Sequence, residues 1–321
     1  MTSKKNHSSL NSSTQSRRSF LKAGALITGT IIAGNFSGSL SKAADFINDE
    51  SIDISVVKGD DYYRNTIKAV DALGGMNRFI SKGSTAGLLI NSRYNKPGTY
   101  VKPEIAIAAL TMLLDAGVKK IISLERVAQS YWQLSPFSKK HMEKIKEIKQ
   151  AEENFEEVSI KGAVALKKAE VIKEFLECDA YINIPIFKEH EGIRKTGNLK
   201  NLMGLTSYST NRFFHFGSNA SDWYSDPAFL SQCIADVNLI KKPSLCICDA
   251  TEYIVTNGPF GPGEVVKSRE IVAGVDRVAV DAYGAQILGY KPNDILPIKM
   301  AAQHGMGEID LKKVKIKEIA A

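Results

Sequence analysis

Six short apolar runs recur along the chain, most of them followed by a stretch with helical spacing, and this alternation constrains the fold more than any other feature. Ile52, Ile54 and Val56 alternate with Asp53 and Ser55 in a first strand that ends at Gly59. Further runs lie at 86–90, 118–124, 180–186, 244–248 and 271–275. Between the first two, Tyr63, Ile67, Val70 and Leu73 recur every three or four residues and are closed by Gly74-Gly75, which predicts a helix. Pro103 and Glu104 open another, apolar nearly all round from Ile105 to Leu114 and stopped by Gly117. A helix apolar on all sides is buried against a sheet. Asp226-Pro227 starts a helix with Phe229, Leu230, Cys233, Ile234 and Val237 on one face, and Asp276 caps a last one over Arg277 to Leu288. The expectation is an α/β fold: a mainly parallel sheet flanked by helices, one large domain over residues 44–321, with right-handed crossovers. The Lys-rich stretch 138–153 reads as a solvated helix, followed by a short strand over 155–160.

The formal charge of +7 invites a nucleic-acid reading, but its distribution removes the case. Lys4, Lys5, Arg17, Arg18, Lys22 and Lys42 lie within the first 43 residues, which hold no acid, leaving 36 basic against 35 acidic residues beyond them. A nearly neutral mature chain has no electrostatic footprint for a polyanion. The first 43 residues read instead as a signal peptide. Ser16-Arg17-Arg18-Ser19-Phe20-Leu21-Lys22 resembles the twin-arginine export signal, and Ser41-Lys42-Ala43 offers small residues for cleavage after Ala43. The apolar run behind the arginines is shorter than the ~20 residues a membrane span needs and is interrupted by Gly24, Gly29 and Gly34, so cleavage is expected over an uncleaved anchor. The resemblance implies the twin-arginine export machinery as a partner, export in the folded state, and a periplasmic or otherwise extracytoplasmic location. No stable span is expected in the mature chain.

Cys178, Cys233, Cys246 and Cys248 show no C-x-x-C spacing, which leaves no iron-sulphur or zinc-ribbon motif. Cys246 and Cys248 fall two apart on a predicted strand, too far apart for an easy disulfide, and buried small hydrophobes are the plainer reading. The cofactor stays open. A metal would need His190, His215 and Asp249 with a further acid, a set without diagnostic spacing.

The densest chemistry lies between Asn183 and Gly204, where an apolar strand runs into a loop rich in Lys, His, Arg and Thr. Lys188 and His190, two apart on extended chain, point the same way. Thr196 offers a cap for a short helix ending at Gly204, whose N–H groups would add to Arg194, Lys195, Lys200 and Asn201 around an anion; the plainer alternative is a capped surface turn. Two more polar clusters follow predicted strands: Asp249 with the loop containing Gly258, and Asp276 with Asp281. Loops leaving the carboxyl ends of parallel strands line one rim, so Lys188, Asp249 and Asp276 are expected to share it. His215, among aromatics, reads either as a packed residue or as a further ligand. Gly258, Gly261 and Gly263 are interrupted by prolines and precede a strand, so they are no dinucleotide fingerprint. Nor is there a G-x-S-x-G, H-E-x-x-H or Walker sequence.

Asn183-Ile184-Pro185 with Lys188-x-His190, Leu199-Lys200-Asn201-Leu202-Met203-Gly204, His215, Asp236, Asp249, Gly258-Pro259 and Gly274-Val275-Asp276-Arg277-Val278-Ala279-Val280-Asp281 together resemble domain-of-unknown-function family 362, from about Ala180 to Gly307. The resemblance implies no general reaction. Many members carry an added ferredoxin-like iron-sulphur module, for which this chain lacks the clustered cysteines. The functional expectation is an enzyme acting on a small phosphate- or carboxylate-bearing anion. His190 and Lys188 would be its catalytic pair, with His190 as general acid/base and Lys188 and Lys200 holding charge. Arg194, Thr196, Lys200, Asn201, His215, Asp249, Gly258, Asp276 and Asp281 would contact the ligand. The competing readings are a non-catalytic binding protein for an anionic ligand or metal-bearing cofactor, and a redox-associated protein.

Overall fold

The computed structural model describes residues 52–217 and 226–320. The leader and its arginines lie outside the described residues.

Eight strands form the main sheet: β1 (Ile54–Lys58), β2 (Thr85–Ile90), β3 (Lys120–Ser123), β4 (Ile148–Gln150), β5 (Ala180–Ile184), β6 (Leu245–Ala250), β7 (Glu270–Gly274) and β8 (Ile316–Ala320). Their spatial order is β8-β1-β7-β6-β5-β2-β3-β4. All run one way except β7, which is antiparallel to both β1 and β6. The sheet is therefore mainly parallel, as the alternation predicts.

Period-two alternation divides the strand residues between two cores. Leu88, Ile90, Ile182 and Ile184 face α1 (Tyr62–Ala72) and α2 (Pro103–Asp115). Leu89 and Tyr181 face the other side, where α3 (Tyr208–Phe216), α4 (Pro227–Val237), α5 (Arg277–Ile287) and α6 (Leu296–Gln303) pack. Each fully buried Leu or Ile contributes roughly 1.5–3 kcal/mol relative to exposure. The helix starts follow their caps: Asp61 accepts from the Arg64 N–H at 3.0 Å, Asp226 from the Ala228 N–H at 2.8 Å, and Asp276 from the Val278 and Ala279 N–H groups at 2.9 and 3.0 Å. Cys178, Cys233, Cys246 and Cys248 are buried and free.

The strand order places the site. From β2 the chain moves out to β3 and β4 by way of α2, whereas from β5 it moves the opposite way to β6 by way of α4. The two connections leave on opposite faces and open a crevice above the carboxyl ends of β2 and β5.

Two expectations change here. Segment 138–153 is not one helix: a 3-10 turn at Pro136–His141 and a short helix at Met142–Lys146 lead into β4, with Ile145 and Ile148 as the buried anchors. And because β7 runs antiparallel, Asp276 emerges beside the beginning of β6, on the opposite edge from Lys188. Lys188, Asp249 and Asp276 do not share a rim.

Candidate functional site

A β-hairpin after β5 carries the centre of the site. Lys188–His190 pairs with Arg194–Thr196, with Lys188 opposite Thr196 and His190 opposite Arg194. Alternation sends Lys188, His190 and Thr196 to the crevice, and Lys195 the other way. There the Lys195 Nζ donates to Asp281 Oδ1 at 2.9 Å, an ion pair closed to solvent. Asp281 also accepts the N–H groups of Asn198 and Leu199 at 2.8 and 3.0 Å. The helical turn Asn198–Asn201 thus spends its first amides on an internal carboxylate, not on a ligand. Asp281 holds the segment that carries Thr196 and Lys200; it does not line the crevice itself.

Asparagines fix the far end of that turn. Asn201 Nδ2 donates to Asn183 Oδ1 at 2.7 Å and to the Leu89 carbonyl at 3.2 Å, and its Oδ1 accepts from Asn91 Nδ2 at 3.2 Å. Asn183 Nδ2 in turn donates to the Asn198 carbonyl at 3.0 Å. These bonds tie the ends of β2 and β5 to the Leu199-Lys200-Asn201 segment and so aim Lys200. Asn201 borders the crevice, but its amide is occupied by the protein.

The crevice has a volume of about 670 Å³, and its walls include Lys188, His190, Thr196, Lys200, Asn201 and His215. Asn91, Arg93 and Tyr94 from the loop after β2, Glu125 after β3, Tyr208 and Asn211 of α3, and Phe260 of the loop after β6 also line it. Lys188 is wholly buried; its Nζ donates to the Thr99 carbonyl at 2.6 Å and sits 4.5 Å from the Tyr94 ring centroid. Burial, reinforced by the neighbouring Lys200 cation, pulls its pKa down to about 7. Burial also lowers Lys200 to about 8, against the opposing pull of Glu125. His190 Nδ1 accepts the Gly192 N–H at 3.1 Å, which leaves the proton on Nε2. Burial and then the Lys200 and Lys188 charges lower its pKa to about 3, so the ring is a neutral hydrogen-bond donor at physiological pH. Burial and Lys200 likewise lower His215. Among the described lining residues Glu125 is the single carboxylate, and burial raises it to about 7 despite Arg93 and Lys200 nearby. Among the described residues, two buried wall atoms have no hydrogen-bond partner: the hydroxyl of Thr196, a residue only 4% exposed, and Asn91 Oδ1.

The remaining expected residues lie elsewhere. Arg194 is exposed on the hairpin turn with φ 68°. Asp249 is buried in β6, accepting from the Lys102 N–H at 2.7 Å and from Thr251 N and Oγ1 at 2.8 and 2.7 Å, and burial raises it to about 6. It braces the start of α2 and does not meet His190 and His215. Among the described residues no group of three or more His, Cys, Asp or Glu side chains converges to hold a metal. Gly258 donates its N–H to Glu189 Oε2 at 2.5 Å, and a side chain there would collide with the Glu189 carbonyl oxygen. It fastens the loop bearing Phe260 to the hairpin. Asp276 caps α5 and accepts the Glu308 N–H at 2.8 Å.

Sequence reading missed Asn91, Arg93, Tyr94, Glu125, Tyr208, Asn211 and Phe260. The signal for Glu125 and Arg93 was present, since each follows the end of a predicted strand, where a parallel sheet presents its ligand-facing loops.

A family model described as domain of unknown function (DUF362) matches residues 88–286. No curated protein matches the sequence. Among solved structures, the chain is similar to the lactate racemase apoprotein from Thermoanaerobacterium thermosaccharolyticum at 15% identity and a TM-score of 0.45, covering 75% of this chain and 58% of that one. It is also similar to a structural-genomics target from Thermotoga maritima at 13% identity and a TM-score of 0.41, covering 77% and 60%. The chain spans less than two thirds of the length of either protein.

Proposed function

The chain belongs to the DUF362 family, whose description carries no reaction, and we propose from the chemistry of the crevice that it is an enzyme acting on a small organic anion bearing a carboxylate or phosphate. One observation carries the reading: three cationic side chains, Lys188, Lys200 and Arg93, surround a cavity whose single carboxylate is held near neutrality. Water-shielded charge-assisted hydrogen bonds from such lysines are worth roughly 1.5–3 kcal/mol each to an anion. The neutral His190 and His215 add hydrogen bonding without competing charge, and the unpartnered Thr196 hydroxyl is a donor awaiting an acceptor. General acid/base work suits a group whose pKa lies near the operating pH, which favours Glu125. His190, too weak a base for that task, becomes the fixed Nε2–H donor to a substrate oxygen.

The leader supports a second element of the proposal, export of the folded protein through the twin-arginine route to an extracytoplasmic site, resting on Arg17-Arg18 and the small residues ending at Ala43.

Calorimetric titration with sulfate tests the binding step. Lys200→Ala should weaken sulfate roughly tenfold or more and His190→Ala measurably, both in proteins that remain folded by circular dichroism. Undiminished binding in both variants contradicts the reading.

A further inference from the structure

The three cations and two histidines of the crevice account for an anionic group, yet a carboxylate or phosphate alone fills little of a volume of about 670 Å³. That volume is in the range of pockets that enclose whole drug-sized molecules. What lies at the mouth is aromatic. Among the described residues the exposed large hydrophobics are Phe155, Val164, Tyr208 and Phe260, and two of these four, Tyr208 at 82% and Phe260 at 64% exposure, border this one crevice. Exposed aromatic side chains beside a polar cavity mark a ligand-contacting surface.

The Phe260 ring is held by a neighbour, and the backbone that carries Tyr208 is fixed by a helix cap. Phe260 meets Tyr94 edge to face at 5.3 Å and 89°, and Tyr94 holds the Lys188 ammonium 4.5 Å from its own centroid. An aromatic wall therefore runs unbroken from the buried cation to the rim. Tyr208 is the first residue of α3, whose start is fixed by Ser207 accepting the Thr210 N–H at 3.2 Å. It comes from a different element than Phe260, so the two rings reach the mouth independently.

We propose that the molecule bound here is an organic anion carrying a flat ring, its acidic group against Lys188, Lys200 and Thr196 and its ring stacked on Tyr208 and Phe260. The proposal rests on the anion-binding reading above and names the substrate class within it. Sequence-tolerant stacking of this kind favours planar over merely apolar groups.

The test is titration of the wild type, Tyr208→Ala and Phe260→Ala with inorganic phosphate, cyclohexyl phosphate and 1-naphthyl phosphate. The wild type should bind naphthyl phosphate about tenfold tighter than inorganic phosphate, the factor that one good stacking contact supplies, and tighter than cyclohexyl phosphate. Each variant should lose several-fold of that advantage while keeping its affinity for inorganic phosphate. Both changes lie at exposed positions, so folding is not at stake. A naphthyl advantage that is absent, matched by cyclohexyl phosphate, or untouched by both variants overturns the ring assignment and leaves anion binding standing. If none of the three phosphates binds, the anion-binding reading fails and the ring assignment with it.

Discussion

The buried pair beneath the site gives a sharp energetic test. Lys195 and Asp281 have side-chain exposures of 1% and 3%, and their 2.9 Å contact is the only ion pair either makes among the described residues. Asp281→Asn keeps the shape but strands the Lys195 ammonium, which is left 4.4 Å from the Phe187 ring centroid. It also leaves one acceptor oxygen where the carboxylate had two: Oδ1 takes the Asn198 N–H and Oδ2 the Leu199 N–H, so one of these backbone bonds weakens and the other is lost against the new NH2 group. Breaking one side of a buried pair costs about 3–5 kcal/mol. Lys195→Met removes the cation but leaves Asp281 three donors, the two backbone amides and Asn198 Nδ2 at 3.4 Å, so it should cost less. The double variant should be more stable than Asp281→Asn alone, with a coupling of about 2–3 kcal/mol. Urea unfolding followed by circular dichroism, with m held common to all four proteins, measures the cycle. Additive effects, or an Asp281→Asn penalty under about 1 kcal/mol, refute the view that this pair pins the segment bearing Thr196 and Lys200.

Sulfate keeps its charge between pH 6 and 8, so its affinity reports the crevice alone. Over that interval Lys188 loses a proton and Glu125 gains negative charge, each with a pKa of about 7, so sulfate binding should fall by roughly tenfold per group; a flat or rising profile in calorimetry is the contrary result. Lys188→Met should raise stability at pH 6–7: the folded pKa lies below the ordinary 10.5, so the unfolded chain binds more protons between about pH 7 and 10.5 and native stability climbs with pH across that window. The melting-temperature gain of Lys188→Met should therefore shrink as pH rises through that range, and a gain that does not depend on pH speaks against the burial account. Replacing Arg17 and Arg18 by Lys should strand the protein in the cytoplasm, checked by cell fractionation; unchanged export contradicts the twin-arginine leader.

Much of this was legible because the core strands announce themselves. Ala86–Ile90, Ala180–Ile184 and Leu245–Cys248 are apolar on both faces, as strands covered by helices on both sides must be. The edge strands were not: β8 sets the adjacent, exposed Lys317 and Glu318 between the half-buried Ile316 and Ile319, and β4 is three residues with one buried, Ile148. Exposed, charged edges carry little apolar signal. The misplacement of Asp276 had a readable cause. Between β6 and β7 lie only turns and a two-residue strand pair, Tyr253–Ile254 with Val265–Val266, and no helix. A parallel return is usually made through a helix, so the missing helix already pointed to an antiparallel β7. In the site, Lys188, His190, Thr196, Lys200 and Asn201 gather because hairpin alternation and one helical turn are local geometry, and His215 joins them from α3. Arg93, Tyr94 and Glu125 join them only through the β5-β2-β3 strand order, which local pattern does not encode.

The central claim is that the crevice above β2 and β5 holds an anion between Lys188 and Lys200. Crystals soaked in selenate, with anomalous data collected at the selenium edge, test it without knowledge of the natural ligand. The account predicts a peak within hydrogen-bonding distance of the Lys200 ammonium and the Thr196 hydroxyl, lost in Lys200→Ala crystals. An empty crevice in crystals that bind selenate elsewhere on the surface contradicts it.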